Sequence, residues 1–111
     1  MSHRLEKVNE LIKHELGRII LEEEDFDPGI FLTIMAVDTS TDLLHANVLI
    51  SVFPDEKREM ALEILNRHTF NLQQLLNKKL RMRPVPKIRF VSDQTEAEAQ
   101  RLEELIKRPF S

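Results

Sequence analysis

Seven of the chain's 16 lysines and arginines (Arg67, Lys78, Lys79, Arg81, Arg83, Lys87 and Arg89) fall between Asn66 and Ser92. That stretch holds no Asp or Glu, although the whole chain carries 19 acids and a net charge of −3. Guanidinium and ammonium groups unopposed by carboxylates neutralise phosphate oxygens, through charge-assisted hydrogen bonds and the release of condensed counterions. The rest of the chain is correspondingly acidic, so the charge is segregated into a surface that attracts an anion and others that repel it. Amides accompany the cations. On a helical wheel Gln73, Gln74, Asn77, Lys78 and Arg81 lie opposite Leu72, Leu75, Leu76 and Leu80, while Lys79 falls near the apolar arc and must snorkel to reach water. An exposed face of amides and cations suits phosphate and sugar contacts. The same residues could form an ordinary solvated helix face; the missing acids favour the polyanion.

Other chemistries find little support. Without cysteine there is no disulfide, thiolate metal site or cysteine nucleophile, and the composition fits the cytoplasm, where the chain is expected. His3, His14, His45 and His68 show no metal-ligand spacing and read as surface or satisfied histidines, so no metal is expected. Two isolated glycines, Gly17 and Gly29, exclude a phosphate-cradling glycine loop, and no serine has a nucleophile-elbow context. Asp38 and Asp42 flank a turn, where Asp most often accepts local backbone hydrogen bonds. The expectation is a protein that is not an enzyme and carries no cofactor. Tyr and Trp are absent, and the six phenylalanines mostly fall where core residues are expected; Phe70, at a suspected helix break, is the least certain. A base-stacking sheet face is therefore not expected.

These residues need a scaffold. One hundred and eleven residues suffice for one domain with one core. Leu5, Val8, Ile12, Leu16, Ile19 and Ile20 recur at helical spacing from Arg4 to about Glu22, with Gly17 inside that helix explained by close packing. The acidic run Glu22 to Asp25 reads as the unwinding end and a solvated loop closed by Asp27-Pro28-Gly29. Ile30 to Thr39 and Ala46 to Phe53 read as a strand hairpin, with Ala46, Val48, Ile50 and Val52 on the buried face. From Asp55 to Met82 the apolar period is helical throughout, and a single helix of that length would overhang so small a core. A kink or break is placed at Asn66 to Asn71, made mostly of poorer helix formers. Pro84-Val85-Pro86 ends the second helix and leads into a strand from Lys87 to Val91, with Ile88 and Phe90 inward and Lys87 and Arg89 outward. Thr95 to Lys107 has a capping-box start and reads as a tail helix. The order is α-β-β-α-α-β plus a short C-terminal helix, an α+β fold. No apolar run spans a bilayer and no leader is evident, so no membrane association is expected.

In order and spacing the chain resembles the ribosome-binding factor A family. The resemblance runs through Arg4-Leu5, Ile12 to Ile20, Asp27-Pro28, Leu32-Thr33-Ile34-x-x-Val37 and Thr41-Asp42-Leu43-x-x-Ala46-x-Val48. Its most specific stretch is Leu72-x-x-x-Leu76-x-x-x-Leu80-Arg81-Met82-Arg83-x-x-Pro86-x-Ile88-x-Phe90-x-x-Asp93, completed by Arg101-Leu102-x-x-Leu105-Ile106. It implies a type II KH-like fold with a three-stranded sheet covered by helices on one face. Residues 1–93 would form the RNA-binding domain and 94–111 its C-terminal helical extension. It also implies that the helix-kink-helix faces RNA, that the partner is the small ribosomal subunit and its rRNA during late maturation, and that the factor assists rRNA processing and growth in the cold. An assembly GTPase would release it, and a monomer is expected. Where the family's kink reads Ala-x-Gly, this chain has His68-Thr69-Phe70; the family's early arginine in the second helix is Gln73, and Gly29 stands where a basic residue is common. The expected RNA contacts are Arg67, His68, Thr69, Gln73, Lys78, Lys79, Arg81, Arg83, Lys87 and Arg89. The alternative is a protein-interaction adaptor whose basic face is not used for RNA, favoured by the acidic loop Glu22 to Asp27.

Overall fold

The computed structural model describes residues 3–23 and 28–92. Helix α1 (His3–Glu23) is followed by strands β1 (Phe31–Thr39) and β2 (His45–Phe53). After a single 3-10 turn (Asp55–Lys57) come helices α2 (Arg58–Arg67) and α3 (Thr69–Lys79) and strand β3 (Lys87–Ser92). This is the α-β-β-α-α-β order read from periodicity. The tail helix and the extension from residue 94, like most of the acidic loop, lie outside the described residues. None of the described helices is long and apolar enough to cross a membrane.

The sheet runs β1-β2-β3, with β1 antiparallel and β3 parallel to the central β2. On β2 the alternation is regular: Ala46, Val48, Ile50 and Val52 are buried, and Asn47 and Phe53 point to the open side. β1 changes parity midway. A bulge between Ile34 and Ala36 leaves Met35 unpaired, so Leu32 and Ile34 face inward before it and Val37 and Thr39 after it. Without the extra residue, half the strand would turn its apolar side to water. All three helices cover the one inward face, α1 against β1 and α3, α2 against β2 and β3, and α3 against β3. Ile12, Leu16, Val48, Ile50, Leu65, Leu72 and Leu76 form the centre of the core.

Both sheet edges are blunted by an amide side chain from a helix. Asn9 of α1 accepts the Thr39 N–H at 2.9 Å on the β1 edge, and Gln73 of α3 occupies the β3 edge. An edge strand otherwise presents unpaired backbone groups. The β1–β2 turn is held by Asp42, whose Oδ1 accepts from the Ser40 hydroxyl at 2.6 Å and from the Leu44 N–H at 3.0 Å. The Ser40 bond, then the Leu44 amide, hold this carboxyl below its ordinary value. The network supports Leu43 at φ 64°, a left-handed conformation unfavourable for a leucine. It also presents the Leu44 carbonyl to the Lys87 N–H at 2.9 Å, which pins the first residue of β3.

Two expectations are corrected. Gly17 is not there for close packing: a Cβ at this position would meet nothing within 4 Å. Gly17→Ala should therefore stabilise the domain by about 0.5–1 kcal/mol through helix propensity, read by chemical denaturation. The second helix does not reach Met82. It stops at Lys79, where Leu80 turns extended (φ −97°, ψ 143°) after its N–H closes the last helical bond to Leu76. Leu80 stays anchored in the core at 2% exposure, and the Pro84-Val85-Pro86 segment beyond it requires an extended approach.

Candidate nucleic-acid interface

The long helical region is broken at one residue. His68 adopts φ −103°, ψ 11°, and Thr69 begins α3. The His68 N–H is shared between the carbonyls of Ile64 and Leu65, each at 3.2 Å. The Thr69 hydroxyl then donates to Leu65 O at 2.8 Å, reinforcing the turn through its side chain. No positive φ is needed here, because Leu43 is the one non-glycine residue with positive φ among those described. A phenylalanine can thus stand at position 70 without a left-handed backbone.

From α3 the chain doubles back. Leu80 to Pro86 returns alongside the helix toward its start, and Gln73 clamps the two together. Its Nε2 donates to Pro86 O at 3.0 Å and to Asn77 Oδ1 at 3.1 Å, and its Oε1 accepts the Ile88 N–H at 2.9 Å. One side-chain amide thus pairs a carbonyl and an N–H two residues apart, as a neighbouring strand would. Between the clamped segment and α3 lies a groove of about 670 Å³, lined by Thr69, Phe70, Gln74, Arg83 and Lys87 among others. Its lining includes two cations and no acid. The Arg83 Nη1 donates to Leu80 O at 2.8 Å and Met82 O at 2.6 Å. Those bonds orient the guanidinium and leave Nη2 and Nε as donors for an anion.

The ten residues read from sequence do not form one patch. Thr69, Gln73, Arg83 and Lys87 meet at the groove. Lys78 and Lys79 sit in the last turn of α3, at the cation-favouring end of its dipole, and Arg81 follows in the extended segment beyond the helix. Arg89 projects from the open sheet face opposite Asn47. Arg67, exposed at the end of α2, faces Glu63 at 3.8 Å, and His68 is exposed at the break. Lys79 is exposed. Among the described residues no ion pair engages Lys78, Lys79, Arg81, Arg83, Lys87 or Arg89. No group of His, Asp or Glu among the described residues is arranged to hold a metal ion.

The phenylalanines are the larger surprise. Of the four in the described residues only Phe90 is buried; Phe31, Phe53 and Phe70 are 64%, 67% and 76% exposed. Phe31 and Phe53 are cross-strand partners on the open sheet face, and Phe70 lines the groove. The expectation that most of them pack in the core is corrected accordingly. Strand parity could have revealed the pair, since Phe53 is out of phase with Val48, Ile50 and Val52.

A family model described as ribosome-binding factor A matches residues 4–106. The ribosome-binding factor A of Chlorobium phaeovibrioides is 37% identical over 110 residues, covering 96% of this chain and 92% of that protein. The crystal structure of ribosome-binding factor A from Thermus thermophilus superposes with a TM-score of 0.69 at 30% identity, over 81% of this chain and 97% of that one. A homology model of the Thermus thermophilus ribosome-binding factor A, fitted into a cryo-EM map of a complex with the 30S subunit, matches with a TM-score of 0.63 at 29% identity, over 83% of this chain and 93% of that one.

Proposed function

Because the chain belongs to the ribosome-binding factor A family, we propose that it binds the small ribosomal subunit and its rRNA during late maturation, as a monomeric, non-catalytic assembly factor of the cytoplasm. In this reading it assists rRNA processing and growth in the cold, and an assembly GTPase releases it. The observation that carries the RNA contact is the groove beside α3, whose lining includes Arg83 and Lys87 but no carboxylate. Arg83 and Lys87 bind phosphates there. Lys78, Lys79 and Arg81, without carboxylate partners among the described residues, extend the cationic track from the end of α3. Gln73 acts by holding the groove's wall, since both its amide donors and its carbonyl are already engaged within the protein.

Binding to small-subunit rRNA should weaken steeply with salt, with a log-log slope of about −0.7 to −0.9 per neutralised phosphate. Filter binding across a salt series measures it, and a flat response would replace the RNA reading with a protein partner. The adaptor reading retains one observation, the exposed Phe31–Phe53 pair on the open sheet face. A pull-down with and without RNase separates the two: RNA-mediated association is lost on digestion.

A further inference from the structure

Phe70 offers a planar aromatic face to water beside phosphate-binding cations. It is 76% exposed and shares one groove with Arg83 and Lys87. A lone exposed apolar residue is ordinary on a protein surface. What sets this one apart is its company: an aromatic ring, two cations, three side-chain amides (Gln73, Gln74 and Asn77) and no acid line a single concavity. Its volume of about 670 Å³ lies within the roughly 300–1,000 Å³ of small-ligand sites. Charge complementarity selects an anion, and a ring beside that anion site selects one carrying a flat, apolar-faced group. An unpaired nucleotide combines the two. A base within a duplex has both faces already stacked and cannot use the ring. The Asn77 Oδ1 is occupied by Gln73. Its Nδ2 and the exposed Gln74 amide supply the donors and the acceptor that read a base edge.

We propose that this groove takes one unpaired RNA nucleotide, its base stacked on Phe70 and its phosphate on Arg83 and Lys87. The inference rests on the RNA-binding reading above and adds to it a preference for single-stranded RNA and the residue that confers it.

The chain contains no Trp and no Tyr, so Phe70→Trp places a single indole in the groove. In the full chain, a single-stranded oligoadenylate should quench that fluorescence, and the same strand annealed to oligouridylate should leave it nearly unchanged. Phe70→Ala should weaken oligoadenylate binding by roughly 5- to 150-fold, the range measured for base–aromatic stacking. Phe70→Leu, which keeps apolar bulk without a ring, should lose as much, and Phe70→Trp should retain binding. Wild-type affinity in the Ala and Leu variants, or equal quenching by duplex, overturns the proposal. So does a Phe70→Ala variant that loses the subunit but not the oligonucleotide, since the ring would then dock a protein. The double variant Arg83→Glu/Lys87→Glu keeps the two readings distinguishable. If it loses RNA while Phe70→Ala does not, only the stacking fails; if neither loses RNA, both readings fail.

Discussion

Reversing the charge of Lys78, Lys79, Arg81 and Arg83 together should abolish co-sedimentation with the small ribosomal subunit and leave the domain folded. None of the four has a carboxylate partner among the described residues. Surface changes of this kind usually alter stability by less than about 0.5 kcal/mol each. The exception is Arg83, whose bonds to the Leu80 and Met82 carbonyls are lost as well. The effect on binding is much larger. If each cation neutralises one phosphate, removing four reduces affinity by roughly 200-fold at 0.15 M salt, from a slope of about −0.7 per contact. Reversal adds repulsion to that loss. Sedimentation through sucrose reads the association, and a thermal melt confirms the fold. Co-sedimentation at the wild-type level would move the interface elsewhere on the molecule.

Gln73→Leu should cost roughly 2–5 kcal/mol of stability and weaken RNA binding at the same time. Pro86 and Ile88 are buried, and their carbonyl and N–H on the β3 edge depend on this amide. Each buried polar group left without a partner costs about 1–3 kcal/mol. Against a total of about 5–15 kcal/mol for a domain of this kind, the loss is severe. Chemical denaturation gives the total, and hydrogen exchange at the Ile88 amide localises it. Gln73→Glu keeps an acceptor for Ile88 but loses both donors, so the Ile88 amide should remain more protected than in the leucine variant. Unaltered exchange at Ile88 in Gln73→Leu would show that the clamp is not what holds β3 against α3.

Periodicity made much of this fold legible. The apolar rows of α1, β2 and α3 depend only on local spacing, and the break near His68 showed as a cluster of poor helix formers. What escaped depends on contacts distant in sequence. The end of α3 at Lys79 follows from anchoring Leu80 in the core before the prolines, and no local signal marks it. The Met35 bulge is visible only as a change of parity between Leu32/Ile34 and Val37/Thr39. Gln73 looked like one more polar residue on a wet face, because nothing nearby in sequence reveals that Pro86 and Ile88 pass beside it. The basic stretch was legible as composition, yet folding divides it among the groove, the end of α3 and the open face of β3. Phe70 was conspicuous for its place at the break, but its cationic neighbours Arg83 and Lys87 arrive only when the chain doubles back.

The orientation of the protein on its partner can be read directly by photocrosslinking. An azido-phenylalanine at position 70 or at position 53, in the otherwise unaltered chain, is irradiated on maturing small subunits and the crosslinked RNA is mapped. With the groove against RNA, position 70 gives rRNA crosslinks and position 53 gives few or none. Crosslinks to rRNA from position 53 with none from position 70 would contradict this orientation and place the open sheet face against the RNA.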